Sequence, residues 1–267
     1  VCEAGAHIFN YEEGAGAALS GLQLVPVPTP DGILTPDGVR DAIRPPSPYA
    51  PVTALVALEN THNSAGGKIL PMGVAEAIRE VAKEAGLPVH LDGARIWHAA
   101  VATGRTPGEL AQVADTVMVC MSKGLGAPVG SLLAGPQEVM DRAWRIRRRL
   151  GGGMRQSGIL AAAGIFALDH NLARLAQDHD RTRQLARGAR EIDGLAVEDP
   201  DTNILMLDIQ RPGVTAQTVL KALAEEGVLM VPFGPARIRA VTHMEVDEEG
   251  IRTALAVLTA VMKKIRS

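Results

Sequence analysis

The stretch "DTVMVCMSKGLGAPVGSLLAG", residues 115–135, decides how the chain reads. An apolar run from Thr116 to Met121 stops at Ser122. Lys123 follows, then the glycine-rich "GLGAPVG", then a second apolar run. A short apolar run bounded by turn residues reads as a fully buried strand. A single lysine at its end places one charge where the strand leaves its sheet.

Upstream, strand and helix alternate. "VTALVALEN" (52–60) is a short apolar run closed by polar residues. "MGVAEAIREVAKEAG" (72–86) puts Val74, Ile78, Val81, Ala82 and Ala85 at helical spacing and stops at Gly86. "LPVHLDGAR" (87–95) is the next strand. "TPGELAQVA" (106–114) is a short helix, with Thr106 as N-cap and Pro107 in the first position. Near-continuous apolar strands alternating with helices are the pattern of a parallel sheet covered on both faces.

Downstream the character changes. "RAWRIRRRLGGGMRQSG" (142–158) is arginine-rich and broken at Gly151–Gly153. A long helical stretch is expected from Ile159 to Arg190. Beyond it come an alternating strand (202–210), a helix (215–226), short strands (228–231 and 237–242) and a terminal helix (247–265). The expected organisation is α/β: a large domain over 1–158 with a mostly parallel sheet covered by helices, a connecting helix over 159–192, and a smaller C-terminal α+β domain over 193–267.

Composition narrows the function. Of 267 residues, 46% are apolar and only 3% aromatic, so the core must be aliphatic. A net charge of -3 gives no electrostatic reason to expect nucleic acid or a membrane surface. The two cysteines, Cys2 and Cys120, form no CxxC pair, which argues against a disulfide framework or a cysteine-based zinc site and fits the reducing cytoplasm. No apolar stretch is long enough for a membrane span. The chain opens "VCEAGAHIF", with neither an initiator methionine nor a signal-peptide pattern, and is expected to begin inside a folded domain.

In open parallel sheets, ligands bind outside the carboxyl ends of the strands. Past the first strand lies "ENTHN" with His62; past the second, "DGAR" with Asp92 and Arg95; past the third, "SKGLG" with Lys123. His62 and Asp92 are 30 residues apart, and Asp92 and Lys123 are 31 apart, about one strand–helix–strand unit each. Each residue alone has an ordinary reading. A strand-end lysine is usually solvated, Asp92 can open a turn with Arg95 as its ion pair, and His62 can be a turn residue. Four such groups on successive strand ends of one sheet favour a shared site.

The set suits one chemistry. A lysine amine in a partly desolvated, cation-flanked pocket can form a Schiff base with a carbonyl. Pyridoxal phosphate is the usual carbonyl partner, and it needs a carboxylate beside its ring nitrogen, which Asp92 can supply. An arginine fork suits an amino-acid carboxylate, and a histidine can move protons on the substrate. Other templates fail. "AGGK" (65–68) lacks the first glycine of a phosphate loop, and "GAGAAL" (14–19) lacks the third of a dinucleotide fingerprint. HExxH and GxSxG are absent, and no metal is expected. The six arginines between Arg142 and Arg155 read as a solvated helix face rather than a nucleic-acid contact.

Taken together, "AHIFNYEEGAGA", "ENTHN…GGKILP", "HLDGARIWHAA", "CMSKGLGAPVGSLLAG", "GGGMRQSGILAAAGI" and "IRAVTH" resemble the low-specificity L-threonine aldolases over nearly the whole chain. These are pyridoxal-phosphate enzymes of the aspartate-aminotransferase fold type. The resemblance implies a Schiff-base role for Lys123 and a ring-nitrogen role for Asp92. It gives the substrate carboxylate to Arg95 and Arg239, and a stacking position on the cofactor ring to His7. His62 would lie near the substrate hydroxyl, and Arg155 would reach a cofactor phosphate from a neighbouring subunit of a homodimer or homotetramer. It also implies that the family's N-terminal segment, whose Ser/Gly/Thr-rich turn holds that phosphate, lies outside this chain. Two alternatives stay open: an aminotransferase or β-lyase of the same fold type, and an inactive short isoform that assembles with full-length partners.

Overall fold

The structure, a computed structural model, describes residues 1–265. It falls into two units, Val1–Leu172 and Ala173–Ser267. The first runs β1 (Cys2–Glu3), α1 (His7–Asn10), α2 (Ala15–Ser20), β2 (Pro26–Val27), α3 (Pro36–Ala42), β3 (Val56–Glu59), α4 (Met72–Glu84), β4 (Val89–Gly93), α5 (Ile96–Thr103), α6 (Pro107–Ala111), β5 (Thr116–Cys120), β6 (Ser131–Ala134), α7 (Gln137–Arg149) and α8 (Gly158–Asn171). The second runs α9 (Leu175–Arg190), β7 (Leu195–Val197), β8 (Ile204–Ile209), α10 (Ala216–Glu225), β9 (Val231–Pro232), β10 (Arg237–Val241) and α11 (Glu248–Lys264).

In the first unit β3, β4 and β5 pair in parallel, and β6 extends the edge antiparallel to β5. Side chains alternate between the faces of a strand. Val56, Leu58, Val89 and Leu91 therefore share one face. They bury against Ala75, Ile78, Val81 and Ala82 of α4, Ile96, Ala99 and Ala100 of α5, and Leu110 of α6. Each large aliphatic side chain buried this way contributes roughly 1.5–3 kcal/mol. The other face carries Ala57, Glu59, His90, Asp92, Thr116 and Met118 by the same alternation and the strand register. The α6 start is as expected: Thr106 accepts from the Glu109 N–H, and Glu109 accepts from the Thr106 N–H, a full capping box.

Three expectations need correction. The strand at Thr116 is not fully buried: Thr116 to Val119 are half-buried and all of β6 is exposed. The cause is position, because β6 is the edge of the sheet. The helix over 72–86 ends earlier, at Glu84, with Ala85 its exposed cap and Gly86 at φ +67°. The connecting helix over 159–192 is two helices, α8 and α9, one in each unit. The Asn171 amide donates to the Leu125 carbonyl at 2.7 Å, while Arg174 pairs with Asp178 at 2.6 Å. The two sides of the break are thus tied to different units.

The second unit is α+β. Its antiparallel sheet has the order β7-β8-β10-β9. Leu205, Leu207 and Ile238 of the sheet bury with Leu185 of α9, Val219 and Leu223 of α10, and Ile251, Leu258 and Val261 of α11. The strand expected at 228–231 is confined to Val231–Pro232. The last two positions of the expected small domain, 266 and 267, lie outside the described residues. Among the described residues no single helix is long and apolar enough to cross a membrane.

Candidate active site

Parallel strands bring their carboxyl ends to one rim. Glu59 is in register with Asp92, and Asp92 with Met118, so the two carboxylates leave the sheet at one level and on one face. Asp92 is half-buried. Its Oδ1 accepts from the Ala94 N–H at 3.0 Å, and its Oδ2 accepts no hydrogen bond among the described residues. His90 lies two residues back on the same face, with Nδ1 2.8 Å from Thr116 Oγ1. Burial pushes the His90 imidazole pKa down, opposed in part by the charge of Asp92.

Lys123 follows β5 in a tight turn. The Gly126 N–H donates to the Lys123 carbonyl at 2.9 Å, and the Met121 N–H donates to Gly130 at 2.9 Å. Gly126 has φ +72°, the left-handed region where a Cβ is strained. The Lys123 side chain is exposed, and its amine has no ion pair or hydrogen bond among the described residues. The partly desolvated pocket expected around it is therefore not formed by its turn, whose Ser122, Gly126 and Pro128 are exposed as well. The glycine beside it has a purpose the sequence does not show. A Cβ on Gly124 would overlap Nε2 of the buried His98 and lie 3.0 Å from its Cε1.

The two candidate histidines differ. His62 is 2% exposed. Its Nε2 lies 3.0 Å from Glu3 Oε2, and the Ala65 N–H donates to its Nδ1 at 3.3 Å. These partners assign the proton to Nε2 and direct it at the carboxylate. The Glu3 carboxylate is held in turn by the Thr29 hydroxyl at 2.8 Å. His7 is the first residue of α1 and stays partly accessible. Its ring stacks on Tyr11 at 4.9 Å, with Nε2 3.6 Å from Glu12.

His7, His62, Asp92, Arg95 and Lys123 all lie in the first unit, at or next to this rim. Arg95 is the N-cap residue of α5. The other two expected residues lie elsewhere. Arg155 is exposed between α7 and α8. Arg239 is in the second unit on β10, its guanidinium 5.4 Å from the Phe233 ring centroid. Sequence reading missed Glu3 and Glu59. The signal for Glu59 was available, since it is the one charge in the apolar run that leads into "NTHN".

The rim fits a carbonyl cofactor with a ring nitrogen. Among the described residues it offers an unengaged primary amine, Lys123, and a carboxylate with a free oxygen, Asp92, at adjacent strand ends. The group that the resemblance implies, pyridoxal phosphate, needs those two functions.

A family model described as beta-eliminating lyase matches residues 1–212. The low specificity L-threonine aldolase of Escherichia coli (strain K12) is 41% identical over 252 residues, covering 94% of this chain and 73% of that protein. An uncharacterized protein of Caenorhabditis elegans is 39% identical over 267 residues, covering 97% of this chain and 64% of that protein. The chain thus spans between 64% and 73% of the length of these relatives. Among solved structures, the threonine aldolase of Leishmania major superposes with a TM-score of 0.81 at 21% identity, covering 98% of this chain and 76% of that one. At that identity the likeness concerns the fold.

Proposed function

The chain belongs to the beta-eliminating lyase family, and we propose that within it the chain works as a threonine aldolase, cleaving L-threonine or L-allo-threonine to glycine and acetaldehyde. The cofactor is pyridoxal 5'-phosphate. When bound, it supplies the electron sink for the pair released as the Cα–Cβ bond breaks.

The chain's residues do the rest. Lys123 would hold the cofactor, offering its primary amine to the cofactor carbonyl. Asp92, through its Oδ2, would face the cofactor ring nitrogen and favour its protonated form. Arg95 and Arg239 are assigned the substrate carboxylate. A planar arginine fork on that carboxylate would fix the orientation of the bonds at Cα. The β-hydroxyl gives up its proton, its oxygen becomes the aldehyde carbonyl, the Cα–Cβ pair moves onto Cα, and Cα then takes a proton to give glycine. We assign the proton acceptor to water beside His7, whose ring stays accessible. His62, with both nitrogens engaged, is given a holding role near the hydroxyl. Arg155 is assigned the cofactor phosphate across a subunit interface.

We also place the chain in the cytoplasm, as a homodimer or homotetramer. Support for the first is the pair of free thiols, Cys2 and Cys120. Support for the second is the exposed apolar set Trp144, Ile159, Ile165 and Phe166 on α7 and α8.

The observation that carries the activity is that Asp92 and Lys123 stand at and just past the ends of adjacent parallel strands, with the Lys123 amine and Asp92 Oδ2 unengaged among the described residues. The test is a cofactor titration followed by acetaldehyde release from threonine, with and without an added keto acid. Micromolar cofactor binding and keto-acid-independent acetaldehyde support the reading. Turnover only with a keto acid makes the chain an aminotransferase, and no cofactor binding makes it an inactive assembly partner.

A further inference from the structure

The Glu59 carboxylate reaches two separate pieces of chain. Its Oε2 accepts from the His7 N–H at 2.7 Å, 52 residues away in sequence. Its Oε1 accepts from the Asn63 N–H at 2.8 Å, in the turn that carries His62. Each oxygen therefore serves the backbone of one histidine-bearing segment. Glu59 can do this because it ends β3 in register with Asp92, at the rim itself.

The first contact is needed for a physical reason. The opening N–H groups of a helix have no partner inside it. The N-cap of α1 is Ala6, which has no side-chain acceptor to offer. At four residues, α1 is also too short to be stable alone. Yet it carries the His7–Tyr11 ring stack, with the Tyr11 N–H donating to the His7 carbonyl at 3.0 Å. A remote carboxylate on the rim supplies the missing cap. The Asn63 contact adds a second tie: the His62 N–H donates to the Lys68 carbonyl at 2.8 Å, and Glu59 holds the next residue.

We propose that Glu59 is a positioning residue for the candidate active site, holding the His7–Tyr11 ring pair and the His62 turn at fixed places on the rim through two backbone N–H groups. This rests on the reading of the rim as a pyridoxal-phosphate site and extends it to a residue that does not itself touch the cofactor. The chemistry requires glutamate. A carboxylate offers two acceptors and no donor, whereas glutamine would turn an NH2 toward one of the two N–H groups. Aspartate is one methylene shorter and can reach only one of them.

The experiment uses the full chain and the variants Glu59→Gln and Glu59→Asp, with a thermal melt to establish folding. Amide exchange in the cofactor-free protein comes first. The His7 and Asn63 amides should exchange roughly tenfold faster or more in Glu59→Gln, while those of Val89 and Leu91 on β4 stay protected. With pyridoxal phosphate added, the visible circular dichroism of the bound cofactor should fall by half or more. Over the same change kcat should drop about 10- to 100-fold, the penalty of misplacing groups by up to about 1 Å, with KM changing little. If Glu59→Gln does not fold, Glu59→Asp is read by the same three measures, with one amide released. Unchanged exchange at both amides overturns the proposal. Faster exchange with unchanged dichroism and kcat also overturns it, leaving only a structural tie. A parent chain that neither binds the cofactor nor cleaves threonine fails at a different point: it refutes the functional reading, and the positioning role with it.

Discussion

Gly124 offers a sharp test of how Lys123 is held. Any side chain there would push into His98, a buried residue of α5 whose ring atoms Cε1 and Cδ2 would lie 3.0 and 3.1 Å from the new Cβ. The overlap with Nε2 is closer than real Cβ atoms come, so either the imidazole or the Lys123 turn must move. Overpacking a closed site typically costs about 1–3 kcal/mol. At about 2–4 °C per kcal/mol for a chain of this size, Gly124→Ala should lower the Tm of the cofactor-free protein by roughly 2–12 °C. Because the displaced backbone carries Lys123, threonine cleavage should fall as well, by up to about 100-fold. The cause is isolated with His98→Ala in a double-mutant cycle. Removing the imidazole removes the clash, so the double variant should be at least about 1 kcal/mol more stable than the sum of the single effects. A Gly124→Ala protein that melts like its parent, or a cycle that is additive, would refute the reasoning.

Two further outcomes follow from the second unit. Burial pushes the pKa of His179 down from 6.5 to about 4, with Arg183 adding to the shift and Asp180 opposing it. The unfolded imidazole takes up its proton near 6.5 and the folded one only near 4, so its stabilisation is complete above pH 6.5 and is lost as pH falls toward 4. The slope should approach about 1.4 kcal/mol per pH unit. Denaturant melts at pH 7 and pH 5 should show it in the parent and a shallower fall in His179→Gln; equal slopes would contradict it. The Thr242 hydroxyl lies 2.6 Å from that of Thr182 and donates to the Asp178 carbonyl at 2.7 Å, all buried. Thr242→Val keeps the shape and removes the partner, so it should cost about 1–3 kcal/mol by chemical denaturation, and an unchanged midpoint would count against this network.

The strand–helix rhythm was legible because each period leaves a pattern in the chain. The run at Thr116, the helix with Ile78 and Val81, and the Thr106 cap all appear where local chemistry dictates. The placement of Asp92 and Lys123 at neighbouring strand ends was also readable, because parallel strands must end on one rim. What pattern could not show was long-range. Nothing local marks Leu172–Arg174 as a break, since it depends on Asn171 reaching Leu125 and Arg174 reaching Asp178. Burial of β5 depends on what lies beyond its neighbour, and β6 turns out to be an edge. Glu3 and Glu59 act on residues more than 50 positions away. Nor does any local pattern mark Gly124 as the neighbour of His98, whose ring fills the space a Cβ there would need.

The central claim is that the Lys123 amine performs the chemistry. The direct measurement is Lys123→Ala in the chain reconstituted with pyridoxal phosphate, followed by the cofactor's visible absorption and by acetaldehyde release from threonine. The account predicts loss of the band given by the lysine-bound cofactor and a fall in rate of at least about a thousandfold, as expected when a covalent catalyst is removed. A variant that keeps the band and cleaves threonine at the parent rate would contradict it.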